Sequence, residues 1–320
     1  ALDMSTGLFD QGRYPFWGFL FGGFFLYASY YGADQSQAQR ELSTPNLAHT
    51  KYSLIFNGFA RLPLTVAYII MGLAVGAVFA KSPEAASWIT IDGQIKPDRM
   101  VPAFVLHVLP HGIIALIFSA ILAASMSSLD SALNSLSAAT MQDFIDRYAP
   151  QLTETPKKQL WVGKVTTVIW GIAIIGFAFT LGDAESVVVL VNKVGSAFYG
   201  PILATFVIGV TVRRVSGVAM IGGIVAGVGS NIALWLSFDK ALFWMWWNVS
   251  GCVIAMVTAL VFSLVMPNKK DLAGRDLIIW DTDVWKAEGR WLPAYGLLVV
   301  YFALMLFVLW KLPTFFAPGS

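Results

Sequence analysis

Eight long apolar stretches constrain this chain more than any other feature of its sequence. Each is long enough, at about 20 residues or more, to cross a hydrocarbon layer of about 30 Å as an α-helix. Only 12% of the residues are charged, against roughly 25% in soluble domains. The sequence therefore predicts an all-α membrane protein with about eight transmembrane helices. The predicted spans are 14–33, 53–80, 111–141, 160–181, 186–210, 216–237, 243–266 and 292–312.

The positions of the basic residues predict the orientation of these spans, because loops on the cytoplasmic side carry an excess of Lys and Arg. If the first span enters from outside, most basic residues fall in inner loops, and both termini lie outside the cell. The predicted inner residues are Arg40, Lys51, Arg147, Lys157, Lys158, Arg213, Arg214, Lys269, Lys270, Arg275, Lys286 and Arg290. The predicted outer residues are Arg13, Lys81, Lys96, Arg99 and Lys240.

Several common functions have no support in the sequence. A net charge of +2 gives no indication of a nucleic-acid partner. His107 and His111 are four residues apart, but Pro110 between them should break the helix that would align two metal ligands. No Ser/His/Asp order, Cys/His cluster or phosphate-binding glycine loop rises above chance, so we do not expect an enzyme.

The third predicted span contains the most informative polar pattern. At about 100° per residue, Ala124, Ser127, Ser128, Ser131 and Ser135 share an arc of roughly 100° on one helical face, and Asp130 and Asn134 flank that arc. Small residues and serines favour close helix packing, which is one interpretation. The other is an ion site, because a hard cation such as sodium needs several oxygen ligands. Asp130 is open to a third role, as a proton carrier or a charge partner.

These residues also resemble the signatures of the sodium/solute symporter family. The resemblance lies in the run from Ala124 to Asn134 with Thr140-Met-Gln-Asp143, and in the earlier run Tyr30-Tyr-Gly-Ala-Asp-Gln-Ser-Gln-Ala-Gln-Arg40. It extends from Tyr14 to about Arg214. It implies a core of two inverted five-helix repeats, of which this chain is expected to hold the second.

The resemblance implies a division of the chain into three parts. Residues 1–13 would be an outer N-terminal segment, and 14–210 the second five-helix repeat of the transporter core. Residues 211–320 would be three peripheral helices with a cytoplasmic loop near 267–291. The upstream helices of the first repeat are expected to be absent from this chain.

The resemblance also implies ligand roles. Ala124, through its carbonyl, and the hydroxyls of Ser127 and Ser128 match the main sodium site of the family. Ser131 and Asp130 match positions linked to a second sodium site in some members, although Asp130 replaces a serine there. Sodium is the only metal ion expected.

Four residues are implied to contact the solute. Tyr27 matches a solute-binding position of the sugar transporters, and Tyr30 matches their inner gate tyrosine. Asn192 replaces a glutamine of the family, and Arg61 replaces a lysine. A planar arginine suits a carboxylate, and Arg61 lies deep enough in its span to need a partner, either structural or from the solute.

The sequence and the resemblance together predict sodium-coupled symport of a small organic solute by alternating access across the lipid bilayer. The solute is expected at midspan, between Tyr27, Arg61 and Asn192. A proton-coupled transporter and a membrane sensor built on a transporter scaffold are the alternatives.

Overall fold

In the computed structural model, the chain is described at residues 15–91, 93–180, 187–238, 242–266 and 282–316. In chain order, the α-helices are α1 (Gly23–Ala33), α2 (Gln35–Leu42), α3 (Leu47–Lys81), α4 (Pro83–Trp88), α5 (Met100–Val108), α6 (His111–Thr140), α7 (Asp146–Tyr148), α8 (Pro156–Thr180), α9 (Val187–Thr211), α10 (Gly217–Phe238), α11 (Trp246–Val265), α12 (Thr282–Gly289) and α13 (Leu292–Phe316). The π-helical turns Gly18–Gly22 and Met141–Ile145 precede α1 and follow α6. Two 3-10 turns lie at Pro97–Arg99 and Pro150–Leu152. The strands β1 (Thr90–Ile91) and β2 (Gln94–Ile95) pair antiparallel, and Gly93 beside them has a left-handed φ of 74°.

The predicted all-α membrane architecture is confirmed. Six described helices are long and apolar enough to cross a membrane: α3, α6 with its extension to Tyr148, α8, α9, α10 and α11. The eighth predicted span corresponds to a shorter apolar helix, Leu292–Val308. The first forms α1 and the π-helical turn before it. The predicted outer segment 1–13 and residues 267–281 of the predicted loop lie outside the described residues, whereas α12 falls within that loop.

The chain packs as two compact units. One comprises the described residues up to Thr50 and those from Val187 onward, and the other runs from Lys51 to the end of α8. The boundary follows packing and differs from the predicted repeat boundary at residue 210. The assignment of 14–210 to a repeat therefore remains a prediction.

Small residues allow α9, α10 and α11 to approach one another closely in the first unit. A Cβ atom on Gly200 of α9 would lie 2.2 Å from the backbone oxygen of Asn248 on α11. A Cβ atom on Gly223 of α10 would lie 2.5 Å from the backbone oxygen of Ala255. Close backbone approach through small residues is a common mode of helix association in membranes, and here it builds a three-helix core.

The second unit has a smaller core around α3, α4 and α5. Its buried side chains are Val75, Phe79, Ala85, Ile89 and Ala103. Helix α5 ends at Val108 and α6 begins at His111, so the helix is interrupted at Pro110, as predicted. His107 on α5 stacks on the Trp88 ring with centroids 4.2 Å apart, and no cluster that could hold a metal ion is found among the described residues.

Candidate functional site

The predicted ion face, which is the arc of Ala124, Ser127, Ser128, Ser131 and Ser135, lies on α6. It is exposed except toward its C-terminal end, where Ser135 is buried and donates to the backbone oxygen of Ser131 at 2.8 Å. Ala124, Ser127, Ser128 and Asp130 are all exposed, and Ser131 is half-buried. Ser131 donates to the backbone oxygen of Ser127 at 3.1 Å. By contrast, the hydroxyls of Ser127 and Ser128 make no hydrogen bond to the described residues, so both remain available to a ligand.

Helix α6 packs on α8 through a different face. Ser137 donates to the backbone oxygen of Gly163 at 3.0 Å and lies 2.8 Å from the hydroxyl of Thr166. The indole nitrogen of Trp170 donates to the hydroxyl of Thr140 at 2.9 Å. At about 100° per residue, Ser137 and Thr140 lie roughly 130–170° around the helix from the centre of the ion face. Packing against α8 therefore does not explain the hydroxyl stripe.

Asp130 has a neutral neighbour on its own helix. The side-chain amide of Asn134 donates to a carboxylate oxygen of Asp130 at 3.2 Å, and both side chains are exposed. The i, i+4 spacing of the two residues brings them together. This contact orients the Asp130 carboxylate beside the ion face. Because the amide of Asn134 is neutral, it does not neutralise the carboxylate charge.

The two predicted solute tyrosines belong to one aromatic group on α1. The rings of Tyr27 and Tyr31 stack with centroids 6.4 Å apart, and the Tyr30 ring meets Tyr31 edge-on at 5.1 Å. Tyr27 is 43% exposed and Tyr30 is half-buried. Helix α1 packs on α9, which carries Asn192, so the structure places three of the four predicted solute residues in one unit on neighbouring helices. Arg61, on α3, belongs to the other unit.

A buried polar network, which the sequence analysis missed, fixes the turn of α9 that follows Asn192. Asn231 of α10 is fully buried and donates to the backbone oxygens of Ala197 at 3.1 Å and Trp247 at 2.9 Å. Asn248 of α11 donates to the hydroxyl of Ser196 at 3.1 Å. Since polar side chains are rare in apolar spans, the two asparagines were a usable sequence signal.

Lys193, next to Asn192, lies beside two aromatic rings of the same unit. Its ammonium nitrogen is 5.6 Å from the ring centroid of Trp235 and 5.7 Å from that of Trp247. Both distances are within the range of cation–π attraction. The charge at this turn of α9 is therefore stabilised by indole rings of α10 and α11.

Comparison with known proteins gives the class to which this fold and this polar helix belong. Residues 9–227 match the description of the sodium:solute symporter family. The match covers well over half of the chain, and the chain belongs to that family.

Three curated relatives give the range of similar proteins. Sodium-coupled monocarboxylate transporter 1 of Homo sapiens is 26% identical over 233 residues, which are 72% of this chain and 37% of that protein. The sodium/sialic acid symporter NanT of Aliivibrio fischeri is 25% identical over 251 residues, or 78% and 48% of the two chains. The sodium-dependent multivitamin transporter of Oryctolagus cuniculus is 26% identical over 230 residues, or 71% and 35%. The chain thus spans less than half the length of each relative.

A solved structure shares the fold. A Na+-coupled sialic acid symporter in a substrate-bound outward-open state matches with a TM-score of 0.64 over 80% of this chain and 52% of that chain. The sequence identity is 22%, so the match shows the fold alone. The ligand roles of individual residues are therefore matters of proposal.

Proposed function

We propose that this chain is part of a sodium-coupled symporter that moves a small organic solute across the membrane by alternating access. One observation carries the proposal: α6 exposes two hydroxyls, those of Ser127 and Ser128, that make no hydrogen bond to the described residues and lie on a face other than the one that contacts α8. Family membership supports it independently. Sodium is the ion whose gradient would drive transport.

The proposed sodium ligands are the carbonyl of Ala124 and the hydroxyls of Ser127 and Ser128, with Ser131 and Asp130 in supporting positions. Neutral oxygens replace part of the hydration shell of the ion without holding it by excess charge. Transporter sites of this kind lie near the middle of the membrane, where oxygens of other segments complete the coordination. Sodium can favour a solute-competent state only by binding that state better than the alternative.

Removal of the Ser128 hydroxyl tests the ion site. In the full-length transporter in proteoliposomes, Ser128→Ala is expected to raise the half-saturating sodium concentration about tenfold, equivalent to about 1.4 kcal/mol. The matched control is Ser119→Ala on the same helix, because the Ser119 hydroxyl is exposed and bonded to the backbone oxygen of Ala115 at 2.8 Å. Equal sodium dependence in the wild type and in Ser128→Ala would refute the site.

A carboxylate-bearing solute is the class that we propose. Arg61 presents a planar fork that matches a carboxylate, and the names of two relatives specify acids as their solutes, a monocarboxylate and sialic acid. Tyr27, Tyr30 and Asn192 supply further hydrogen-bonding groups. Sodium-driven uptake of butyrate and of sialic acid should each be compared with uptake of glucose, and Arg61→Lys should raise KM for an accepted acid. Preference for glucose would contradict the proposed class.

A further inference from the structure

The face of α9 that carries Asn192 also carries a tyrosine, Tyr199, to which the sequence analysis assigned no role. Asn192, Gly195 and Tyr199 follow one another at i, i+3 and i+7, so they share one side of the helix. Tyr199 is half-buried within an apolar span. A phenol in that position presents a polar hydroxyl to the same side as the proposed solute residue.

The absence of a side chain at Gly195 sets the position of the Tyr199 ring. A Cβ atom on Gly195 would lie 2.6 Å from the phenol oxygen of Tyr199 and 2.6 Å from two of its ring carbons. The phenol end of the ring therefore lies over Gly195, on the N-terminal side of Tyr199 along α9. Long side chains on helices lean toward the N-terminus, which agrees with this direction. Any larger residue at 195 would displace the ring.

Two polar groups at the end of α1, Asp34 and Tyr30, interact electrostatically with the phenol of Tyr199. Asp34 is held in place because its carboxylate accepts the backbone N–H groups of Ser36 at 2.8 Å and Gln37 at 3.1 Å. The hydroxyls of Tyr30 and Tyr199 make no hydrogen bond to the described residues.

We propose that Tyr199 is a further solute-contacting residue, whose hydroxyl donates a hydrogen bond to an oxygen of the carboxylate-bearing solute. This inference rests on the proposed function. Burial of a hydroxyl without a partner is unfavourable, so a half-buried phenol on the face shared with Asn192 gains most from a polar ligand. Gly195 is its positioning residue, because Gly195 leaves the space that the ring occupies.

Two substitutions in the full-length transporter test the contact in proteoliposomes, with butyrate and sialic acid as probes. Tyr199→Phe keeps the ring and removes the hydroxyl, and we expect KM for the accepted acid to rise about fivefold or more. Gly195→Ala should raise KM similarly by displacing the ring. The half-saturating sodium concentration should stay unchanged in both. Gly209→Ala on the same helix is the control, because a Cβ atom there would meet nothing within 4 Å.

An accessibility measurement separates this inference from the proposed function. In a background without other reactive cysteines, Tyr199→Cys should react with a water-soluble maleimide and be protected by the accepted acid. Ile208→Cys on α9 should not react, because Ile208 is only 3% exposed. An unreactive Tyr199→Cys, or an unchanged KM in Tyr199→Phe, would overturn the inference even if uptake is sodium-driven. Sodium-independent uptake by the wild type would instead refute the proposed function.

Discussion

In α9, α10 and α11 the polar side chains Ser196, Asn231 and Asn248 are buried and hydrogen bonded, whereas Ser127 and Ser128 on the ion face of α6 are exposed. Of the most apolar 18 residues, 39% are buried in α9 and none is buried in α6. Asn231, Asn248 and Ser196 form hydrogen bonds between their helices, while the hydroxyls of Ser127 and Ser128 make no hydrogen bond to a described residue. The same kind of sequence signal, a polar residue in an apolar span, thus has two different causes.

The difference shows that polar side chains in a membrane protein can find their hydrogen-bonding partners either in neighbouring helices or in a ligand. Within a membrane, each polar group needs a partner, because the hydrocarbon offers none. The asparagines of the first unit find theirs in neighbouring helices and thereby hold those helices together. The hydroxyls of Ser127 and Ser128 on α6 have no partner among the described residues and require a ligand or another part of the protein. We therefore expect changes at the buried contacts between α9, α10 and α11 to alter folding, and changes on the ion face of α6 to alter transport.

Gly200→Ala should produce the largest loss of stability. The new Cβ atom would lie 2.2 Å from the backbone oxygen of Asn248, so α9 and α11 must separate, at a cost of about 3 kcal/mol. Thermal unfolding of the purified protein in detergent measures the effect. Gly209→Ala is the control on the same helix, and it should be neutral or slightly stabilising because alanine favours helices. Equal melting temperatures for the two variants would show that α9 and α11 are not close-packed.

Asn231→Leu should have the next largest effect. It removes the hydrogen bonds to Ala197 and Trp247 and the one that Asn231 accepts from Ser250 at 3.1 Å, and should destabilise the protein by about 2 kcal/mol. Asn134→Leu on α6 is the matched change at an exposed site, where we expect less than about 0.5 kcal/mol. If both variants lower the melting temperature equally, the contrast between the two regions fails.

Asp130→Asn should leave stability unchanged and modify coupling modestly. Loss of a charge beside the ion face should raise the half-saturating sodium concentration about threefold, or about 0.6 kcal/mol, the attraction of two unit charges several ångströms apart in a water-like medium. Sodium-driven uptake should persist. If Asp130→Asn abolishes uptake, and the wild type also accumulates solute from a pH gradient without sodium, then Asp130 is a proton carrier. In that case the proposal that sodium is the coupling ion is wrong.

The sequence predicted the helices well because long apolar runs have few alternatives. The limits of α10 and α11 fall within a few residues of the predicted spans 216–237 and 243–266. The π-helical turn Gly18–Gly22 was not predicted, because it depends on tertiary contact: a Cβ atom on Gly22 would lie 2.4 Å from the backbone oxygen of Met245. The sequence around Gly22 alone does not reveal that the backbone of Met245 lies so close.

Sequence spacing could group only those candidate site residues that share a face of a single helix. The stripe from Ala124 to Ser135 follows from helical periodicity alone, so its members could be named from spacing. Tyr199 could not be found in this way, because its importance depends on Gly195 beneath its ring and on Asp34 and Tyr30 from another helix. Asn231 and Asn248 stand out as polar residues in apolar spans, but their partners lie on other helices and could not be named from spacing.

Glu41 lies on α2, outside the predicted spans, and is a carboxylate that also needs a partner when it is buried. A change at Glu41 should have the smallest effect. One of its carboxylate oxygens is buried without a hydrogen bond to the described residues, and this burial raises the pKa of Glu41 above its usual value. The folded state therefore binds the proton more tightly than the unfolded state, and stability is lost as the pH rises from the usual pKa of Glu41 through its raised value. Glu41→Gln should consequently gain stability over the wild type as the pH rises from about 4 to 7. Melting curves across that range measure the gain, and a difference that does not grow with pH would show that the buried oxygen has a partner.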